Sequence, residues 1–199
     1  YDTYGFPIEL TEEMATEHNM SVDVEGFYEK FRAHQEKSRT ASAGKFKGGL
    51  AGDGETETKY HTATHLLNAA LKIVVGPDVH QRGSNINESR MRFDFNCSCD
   101  HKLTDEEKHE VEKLVNDWIK ADIPVTMETM AKDEAVKSGA EAMFIEKYAD
   151  IVNVYSIGDV SKEICGGPHV NSTSELGVFR IKKEEASSAG VRRIKAVLE

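Results

Sequence analysis

Cysteine and proline are both scarce in this 199-residue chain, three of the first and four of the second, and there is one tryptophan. Three thiols cannot knit a disulfide framework, so a small cross-linked scaffold is excluded and reduced thiols are expected. No apolar run approaches the ~20 residues a helix needs to cross a bilayer, and no signal-peptide pattern leads the chain. No membrane partner is expected, and the setting is read as cytoplasmic. Positive charge is also short: the net charge is −10, which argues against a general nucleic-acid binder. Gly44, Gly48, Gly49, Gly52 and Gly54 lack a preceding strand and a following Lys-Ser/Thr, so they are not a phosphate-binding loop.

What is present is ordinary globular material, 39% hydrophobic and 30% charged. The length suits one good core with a small appendage. The chain opens on Tyr1 rather than Met, and is expected to be part of something longer. Its charge is uneven. From Leu176 to Glu199 there are six Lys and Arg against three Glu, so that end is +3 and the remainder −13. A basic edge on an acidic body suits a partner docked at one place, or a strand with a solvated basic face.

Periodicity sketches the elements. Thr11 can cap a short helix ending near Asn19, with Glu12 and Glu13 in its first turn. A second helix is expected from Asp23 to Arg39, its apolar face being Val24, Phe27, Tyr28 and Phe31. Residues 40 to 57 lack periodicity and read as a linker. Thr58 to Val75 reads as a helix with Leu66, Leu67, Ala70, Leu71 and Val74 inward, stopped by Gly76-Pro77. Met91, Phe93 and Phe95 alternate with Arg90, Arg92 and Asp94, the mark of a half-buried strand over Ser89 to Phe95. Thr104-Asp-Glu-Glu107 is a capping box, followed by a helical stripe through Val111, Leu114, Val115, Trp118 and Ile119. Strands are expected at Val125 to Met130, Ile151 to Ile157, Gly177 to Lys183 and Arg193 to Val197, with a short helix from Lys132 to Lys137. The fold class is α+β: a mostly antiparallel sheet with helices on one face, a two-layer sandwich preceded by a small helical segment.

The chemistry concentrates in two short segments. His61-Thr-Ala-Thr-His65 places two imidazoles at i and i+4, on one face of a helix. A hundred residues later Cys165-Gly-Gly-Pro-His169 places a thiol and an imidazole four apart, in what glycine and proline make a loop. Any one of these residues alone reads as helix surface or core. Together they are a tetrahedral set for zinc, joined over long range rather than as a close-spaced finger. Cys97-Ser-Cys99-Asp-His101 offers two more thiols and an imidazole, but Cys-x-Cys is cramped for zinc, and a structural or incidental role is the better reading.

With these residues placed, the chain resembles the editing region of the alanyl-tRNA synthetase family. Tyr1-Asp-Thr-Tyr-Gly-Phe-Pro-Ile-Glu-Leu-Thr11 is similar to the end of that family's tRNA-recognition part. His61-Thr-Ala-Thr-His-Leu-Leu67, Arg90-Met-Arg-Phe-Asp-Phe95, Glu146-Lys-Tyr148, Cys165-Gly-Gly-Pro-His169 and Ala189-Gly-Val-Arg-Arg-Ile194 follow its editing domain in order. Threonyl-tRNA synthetases and free-standing editing proteins share the His-x3-His and Cys-x3-His frame, the second additional domain common to the two synthetases, but not the opening stretch. Two departures stand out. The family usually has a β-barrel where this chain has only the linker from about Thr40 to Glu57, and commonly has Thr where this chain has Pro168.

The resemblance implies that residues 1–57 are the helical end of the tRNA-recognition part plus a linker, and 58–199 a zinc-dependent editing domain. It implies hydrolysis of the ester of mischarged seryl-tRNA(Ala), with glycyl-tRNA(Ala) a second candidate. A synthetase pocket for alanine rejects an added hydroxyl by only ~10²-fold, whereas a second site that bonds that hydroxyl can favour serine strongly. Zn2+ would sit on His61, His65, Cys165 and His169. Thr64, Gln81 and Cys165 would form the catalytic site, Thr64 and Gln81 matching positions that contact the serine side chain. The hydroxyl of Thr64 could equally bond back to a helix carbonyl. The partners would be the acceptor end of tRNA(Ala), touched by Arg192, Arg193 and Lys195, and the remainder of the synthetase. Alternatives are a zinc-stapled tRNA-binding module without catalysis, a free-standing aminoacyl-tRNA deacylase, a zinc hydrolase of a small molecule, and a metal-free site with histidine bases around Cys165.

Overall fold

The computed structural model describes residues 8–42, 54–98, 101–143 and 148–199, the side chains of 34–42 excepted. The opening Tyr1-to-Pro7 stretch, most of the expected linker, Cys99 and Glu146-Lys147 lie outside the described residues. The chain falls into two compact units, 1–46 and 47–199.

The first unit holds α1 (Ile8–Glu17) and α2 (Val24–Ser42). Thr11 does not cap α1, which begins three residues before it. Asp23 does cap α2, its Oδ1 accepting the Gly26 N–H at 2.8 Å, as its short carboxylate favours at that position. Phe27 stacks on Phe31 one turn away, with ring centroids 5.8 Å apart, and meets Tyr28 edge-on at 5.3 Å. The Tyr28 hydroxyl donates to Glu9 at 3.3 Å and so ties α2 to α1. Residues 40–42, expected in the linker, continue α2.

In the second unit α3 (Glu55–Val74) starts three residues earlier than its apolar pattern, because Glu55 and Glu57 suit the positive end of the helix dipole. Leu66, Leu67 and Leu71 are fully buried, each contributing about 1.5–3 kcal/mol. From Tyr60 to Asn68 every side chain is buried, so this helix is enclosed on all sides, and the candidate ligands lie within that enclosed run. β1 (His80–Asn87), β2 (Arg90–Asn96), β6 (Phe179–Ser188) and β7 (Val191–Leu198) form a four-stranded antiparallel sheet in the order β1-β2-β7-β6. Met91, Phe93 and Phe95 of β2 point into the core as the alternation requires. Asp94, expected on the wet face, is buried instead. It lies opposite Arg193 in the β2–β7 ladder and accepts two hydrogen bonds from that residue's guanidinium, from Nε at 2.7 Å and from a terminal nitrogen at 2.9 Å.

α4 (Asp105–Lys120) starts on the expected capping box, the Glu107 N–H donating to Thr104 Oγ1 at 3.1 Å and the Thr104 N–H to Glu107 at 2.7 Å. α3 packs on β1 and β2, α4 on β6, and the two helices on each other. The expected single sheet is in fact two. β3 (Val125–Ala131), β4 (Ile151–Ile157) and β5 (Ser161–Ile164) make a second antiparallel sheet. α5 (Lys132–Lys137) closes it around Ala135, Val152, Val154 and Ile164. Both sheets are antiparallel with helices packed on them, so the α+β class holds. Among the described residues no helix is long and apolar enough to cross a membrane. Cys165 is a free thiol, whereas Cys97 is disulfide-bonded, so the expectation of reduced thiols throughout fails at Cys97.

Candidate metal centre and adjoining cavity

Helix α3 supplies His61 and His65 one turn apart, their rings edge-on with centroids 5.4 Å apart. The other two candidates arrive on the loop that leaves β5. The Cys165 N–H donates to Asn153 O of β4 at 3.0 Å, which anchors the loop at its start. At its end the Val170 N–H donates to the Thr62 hydroxyl of α3 at 3.2 Å. Between these two ties His169 stacks on His61 at 4.3 Å and stands edge-on to His65 at 4.6 Å. The fold thus brings His61, His65, Cys165 and His169 together, one potential ligand atom of each within 4.8 Å of all the others.

The second nitrogen of each imidazole shows why this set fits a metal. His61 Nδ1 lies 3.0 Å from Pro168 O, and its Nε2 is 3.3 Å from Cys165 Sγ. His65 Nδ1 lies 3.4 Å from Glu163 Oε2, ion-pair distance without hydrogen-bond alignment. His169 Nδ1 lies 3.1 Å from Thr62 Oγ1, while its Nε2 is buried with no partner among the described residues. Acceptors placed on the outer nitrogens, with inner nitrogens turned to a common point beside a thiol, are what a cation-ligating histidine cluster needs. An orphaned, buried Nε2 is costly unless something electrophilic takes its lone pair. The mix of three imidazoles and one thiol is a zinc-type donor set.

Burial sets the protonation of the cluster. Desolvation, helped by the neighbouring His65, lowers His61 to about 3, and burial lowers His65 to about 4. His169 is held far below the ordinary imidazole range by burial and by the two other histidines. Burial also pushes the Cys165 thiol up to about 12 and Glu163 up to about 7, the latter against the hydrogen bonds it accepts from Asn68 and Ser161. At neutral pH the metal-free cluster is therefore neutral imidazole and neutral thiol. That disfavours a metal-free site with histidine bases around Cys165, since imidazoles held so far below their usual range are weak bases.

Beside the cluster opens a cavity of about 540 Å3, walled by Asn68 and Lys72 of α3, Gln81 and Arg82 of β1, Glu141, and Glu163 of β5. That volume lies within the ~300–1,000 Å3 range of small-ligand sites. Glu163 belongs to both features, facing the cavity and His65 at once. Asn68 donates to its Oε1 at 3.3 Å and Ser161 at 3.1 Å, which fixes the carboxylate. Gln81 sits in the cavity wall beside a β-bulge, where the pairing steps from Gln81 to Gly83 against Phe95 and Asp94. Bulges re-aim side chains next to sites. Thr64 does not line this cavity, and its hydroxyl donates to Tyr60 O at 2.8 Å.

The β7 cations stand elsewhere in the sheet, each with an acid. Arg193 is held by Asp94, Arg192 by Glu184, and Lys195 by Glu185 at 2.8 Å. Sequence reasoning missed Thr62, Asn68, Glu163 and the Pro168 carbonyl. Asn68 was the most accessible of them, at i+3 from His65 on an enclosed helix. Pro168 acts here through its backbone oxygen, which a threonine would supply equally.

Comparison with known proteins covers the chain from end to end. Residues 152–195 match the family described as the threonyl and alanyl tRNA synthetase second additional domain, a span that holds Cys165 and His169. Residues 1–90 match the class II (A) tRNA synthetases, a span that holds His61, His65 and Gln81. An alanine–tRNA ligase of Treponema denticola is 61% identical over 199 residues, and one of Treponema pallidum 55%, each alignment covering all of this chain and 33% of the relative. An alanine–tRNA ligase of Prochlorococcus marinus (strain MIT 9515) is 32% identical, covering 99% of this chain and 34% of the relative. That alignment runs over 307 positions against a chain of 199, so more than a hundred of them carry no residue of this chain, whereas the Treponema alignments need no such gap. The chain spans about a third of the length of the curated relatives it matches.

Proposed function

The chain is related over its whole length to part of the alanyl-tRNA synthetases, and on that premise we propose that residues 58–199 form an editing domain that hydrolyses mischarged seryl-tRNA(Ala). Residues 1–57 would be the end of the tRNA-recognition part. The observation that carries this reading is the cluster of His61, His65, Cys165 and His169 sharing Glu163 with a polar cavity of small-ligand size.

In the reaction water adds to the ester carbonyl and the bond to the terminal ribose oxygen breaks. Free serine and a tRNA with its terminal hydroxyl restored are released. Zinc held by the four residues would supply Lewis acidity, either lowering the pKa of a water or positioning the aminoacyl group. The protein's own part is orientation. Gln81, in the cavity wall, would bond the serine hydroxyl, and alanine, offering no such group, would leave that amide unpaired. Glycine would do the same, so seryl-tRNA is the preferred substrate and glycyl-tRNA a poorer one. Thr64, its proton committed to Tyr60 O, keeps only acceptor capacity and would serve through that. Arg192, Arg193 and Lys195 would contact RNA by exchanging a carboxylate for a phosphate, and Arg193, held at two points, is the least free to do so. The acceptor end of tRNA(Ala) and the rest of the synthetase are the proposed partners, in the cytoplasm.

A second reading draws on the donor set itself: His61, His65 and Cys165 are buried and His169 half-buried, and four protein ligands without an open position make a closed, structural zinc site. One assay separates the two. Purified chain is incubated with seryl- and alanyl-tRNA(Ala), with and without zinc. Faster release of serine, lost on metal removal while the fold persists, supports editing. Tight tRNA binding without ester hydrolysis supports the staple, and hydrolysis of both substrates at one rate sinks the selectivity claim.

A further inference from the structure

Two of the three imidazoles have their outer nitrogen near a backbone carbonyl or a carboxylate. His169 depends on one hydroxyl, that of Thr62, 3.1 Å from its Nδ1. Thr62 is fully buried, and three groups converge on its oxygen: the Val170 N–H at 3.2 Å, His169 Nδ1, and the Thr58 carbonyl oxygen at 3.3 Å. A hydroxyl has one proton and two lone pairs. Val170 can only donate, so it occupies one lone pair. Thr58 O can only accept, so it calls for the proton. The remaining lone pair then accepts from Nδ1, which makes His169 the Nδ1–H tautomer and leaves a lone pair on Nε2. Nε2 has no partner among the described residues in either tautomer, but only this one offers electrons to a cation.

We propose that Thr62 is a positioning residue for the metal centre, fixing both the tautomer of His169 and the docking of its loop onto α3. The inference rests on the metal reading of the cluster. It separates the two threonines of the His-Thr-Ala-Thr-His segment, which look alike in sequence. Thr64 bonds back within its own helix, while Thr62 reaches across 107 residues to the second half of the site. Valine at 62 would keep the shape and lose every one of these bonds. Serine would keep them and lose a methyl group.

The test uses the whole chain, with zinc affinity read by competition against a chromophoric chelator and ligand geometry by the visible spectrum of the cobalt-loaded protein. Thr62→Val is expected to bind zinc about 10–100-fold more weakly and to shift the cobalt bands, and Thr62→Ser to stay within about threefold of the parent. Unchanged zinc affinity in Thr62→Val overturns the inference, as does a serine variant as weak as the valine one. If Thr62→Val does not fold, nitrogen NMR of histidine-labelled parent protein decides. A hydrogen-bonded proton on His169 Nδ1 supports the assignment, and a bare Nδ1 refutes it. A parent chain that takes up no metal overturns the underlying metal reading itself, an outcome distinct from a parent that binds zinc and ignores residue 62.

Discussion

Gly167 passes so close to His61 that a Cβ built on it would lie 2.5 Å from the imidazole Nδ1 and nearer still to Cε1. The ring has nowhere to retreat. It is stacked on His169 at 4.3 Å and tied through Nδ1 to Pro168 O, the residue after the glycine. Gly167 is thus required for close approach of the loop to the ligand helix, not merely for a turn. Gly167→Ala is expected to lower zinc affinity at least about tenfold and stability by roughly 1–3 kcal/mol, as overpacking does. Chelator competition and urea unfolding measure the two effects. Parent-like affinity would mean that the loop yields without disturbing His61.

The cluster's composition sets the metal content. One zinc per chain is expected, since four ligand atoms converge on one point. His65→Ala or Cys165→Ala should bring stoichiometry toward zero by atomic absorption. None of the four ligands lines the cavity, so tRNA binding should be weakened less than metal binding. Two variants that each keep a full equivalent of zinc would falsify the ligand set.

These consequences differ in how far the sequence discloses them. The two four-residue spacings are visible because periodicity converts directly into one helix face and one loop, and the ligand quartet follows from residue type. Capping at Thr104 and the apolar faces of α3, α4 and β2 are equally local signals. What stays hidden depends on partners far along the chain. β1, polar along most of its length, is a strand because β2 supplies its hydrogen bonds, and the bulge beside Gln81 exists only in that pairing. Glu163 reads as one more surface acid until β5 folds beneath α3 and brings it to His65. The basic run of β7 looks like an RNA edge, but Asp94, Glu184 and Glu185 meet it from neighbouring strands or from its own hairpin.

Acid should destabilise the metal-free protein. His61 and His65 are lowered from the ordinary 6.5 to about 3 and about 4, and His169 further. Below pH 6.5 the unfolded chain therefore takes up protons that the folded one refuses, so stability is full above 6.5 and falls as pH drops. Glu163 works the other way. Raised from 4.5 to about 7, it carries a proton in the folded state that the unfolded state has released, and so favours folding as pH falls from 7 to 4.5. Three histidines against one carboxyl leave a net loss, at roughly 1.4 kcal/mol per pH unit for each uncompensated proton. Urea midpoints of chelator-treated protein between pH 7 and 5 are expected to fall steadily. A flat profile would show that the imidazoles are hydrated rather than buried in the absence of metal.

Substrate choice is expected to rest on Gln81. Its side chain sits in the wall of the cavity that Glu163 also lines, half-buried on an edge strand and next to a bulge. Because β1 is an edge strand, Gln81→Ala should fold normally, which can be checked by its melting curve. Loss of one hydrogen bond to a serine hydroxyl costs on the order of 1.4 kcal/mol, or tenfold in rate. Single-turnover deacylation of seryl-tRNA(Ala) should slow by about that factor in Gln81→Ala, while hydrolysis of alanyl-tRNA(Ala), which never formed the bond, should barely change. The ratio of the two rates is the telling quantity, because a general disturbance of the cavity would lower both together. An unchanged ratio would remove Gln81 from serine recognition and leave Thr64, with its remaining lone pair inside α3, as the next residue to test.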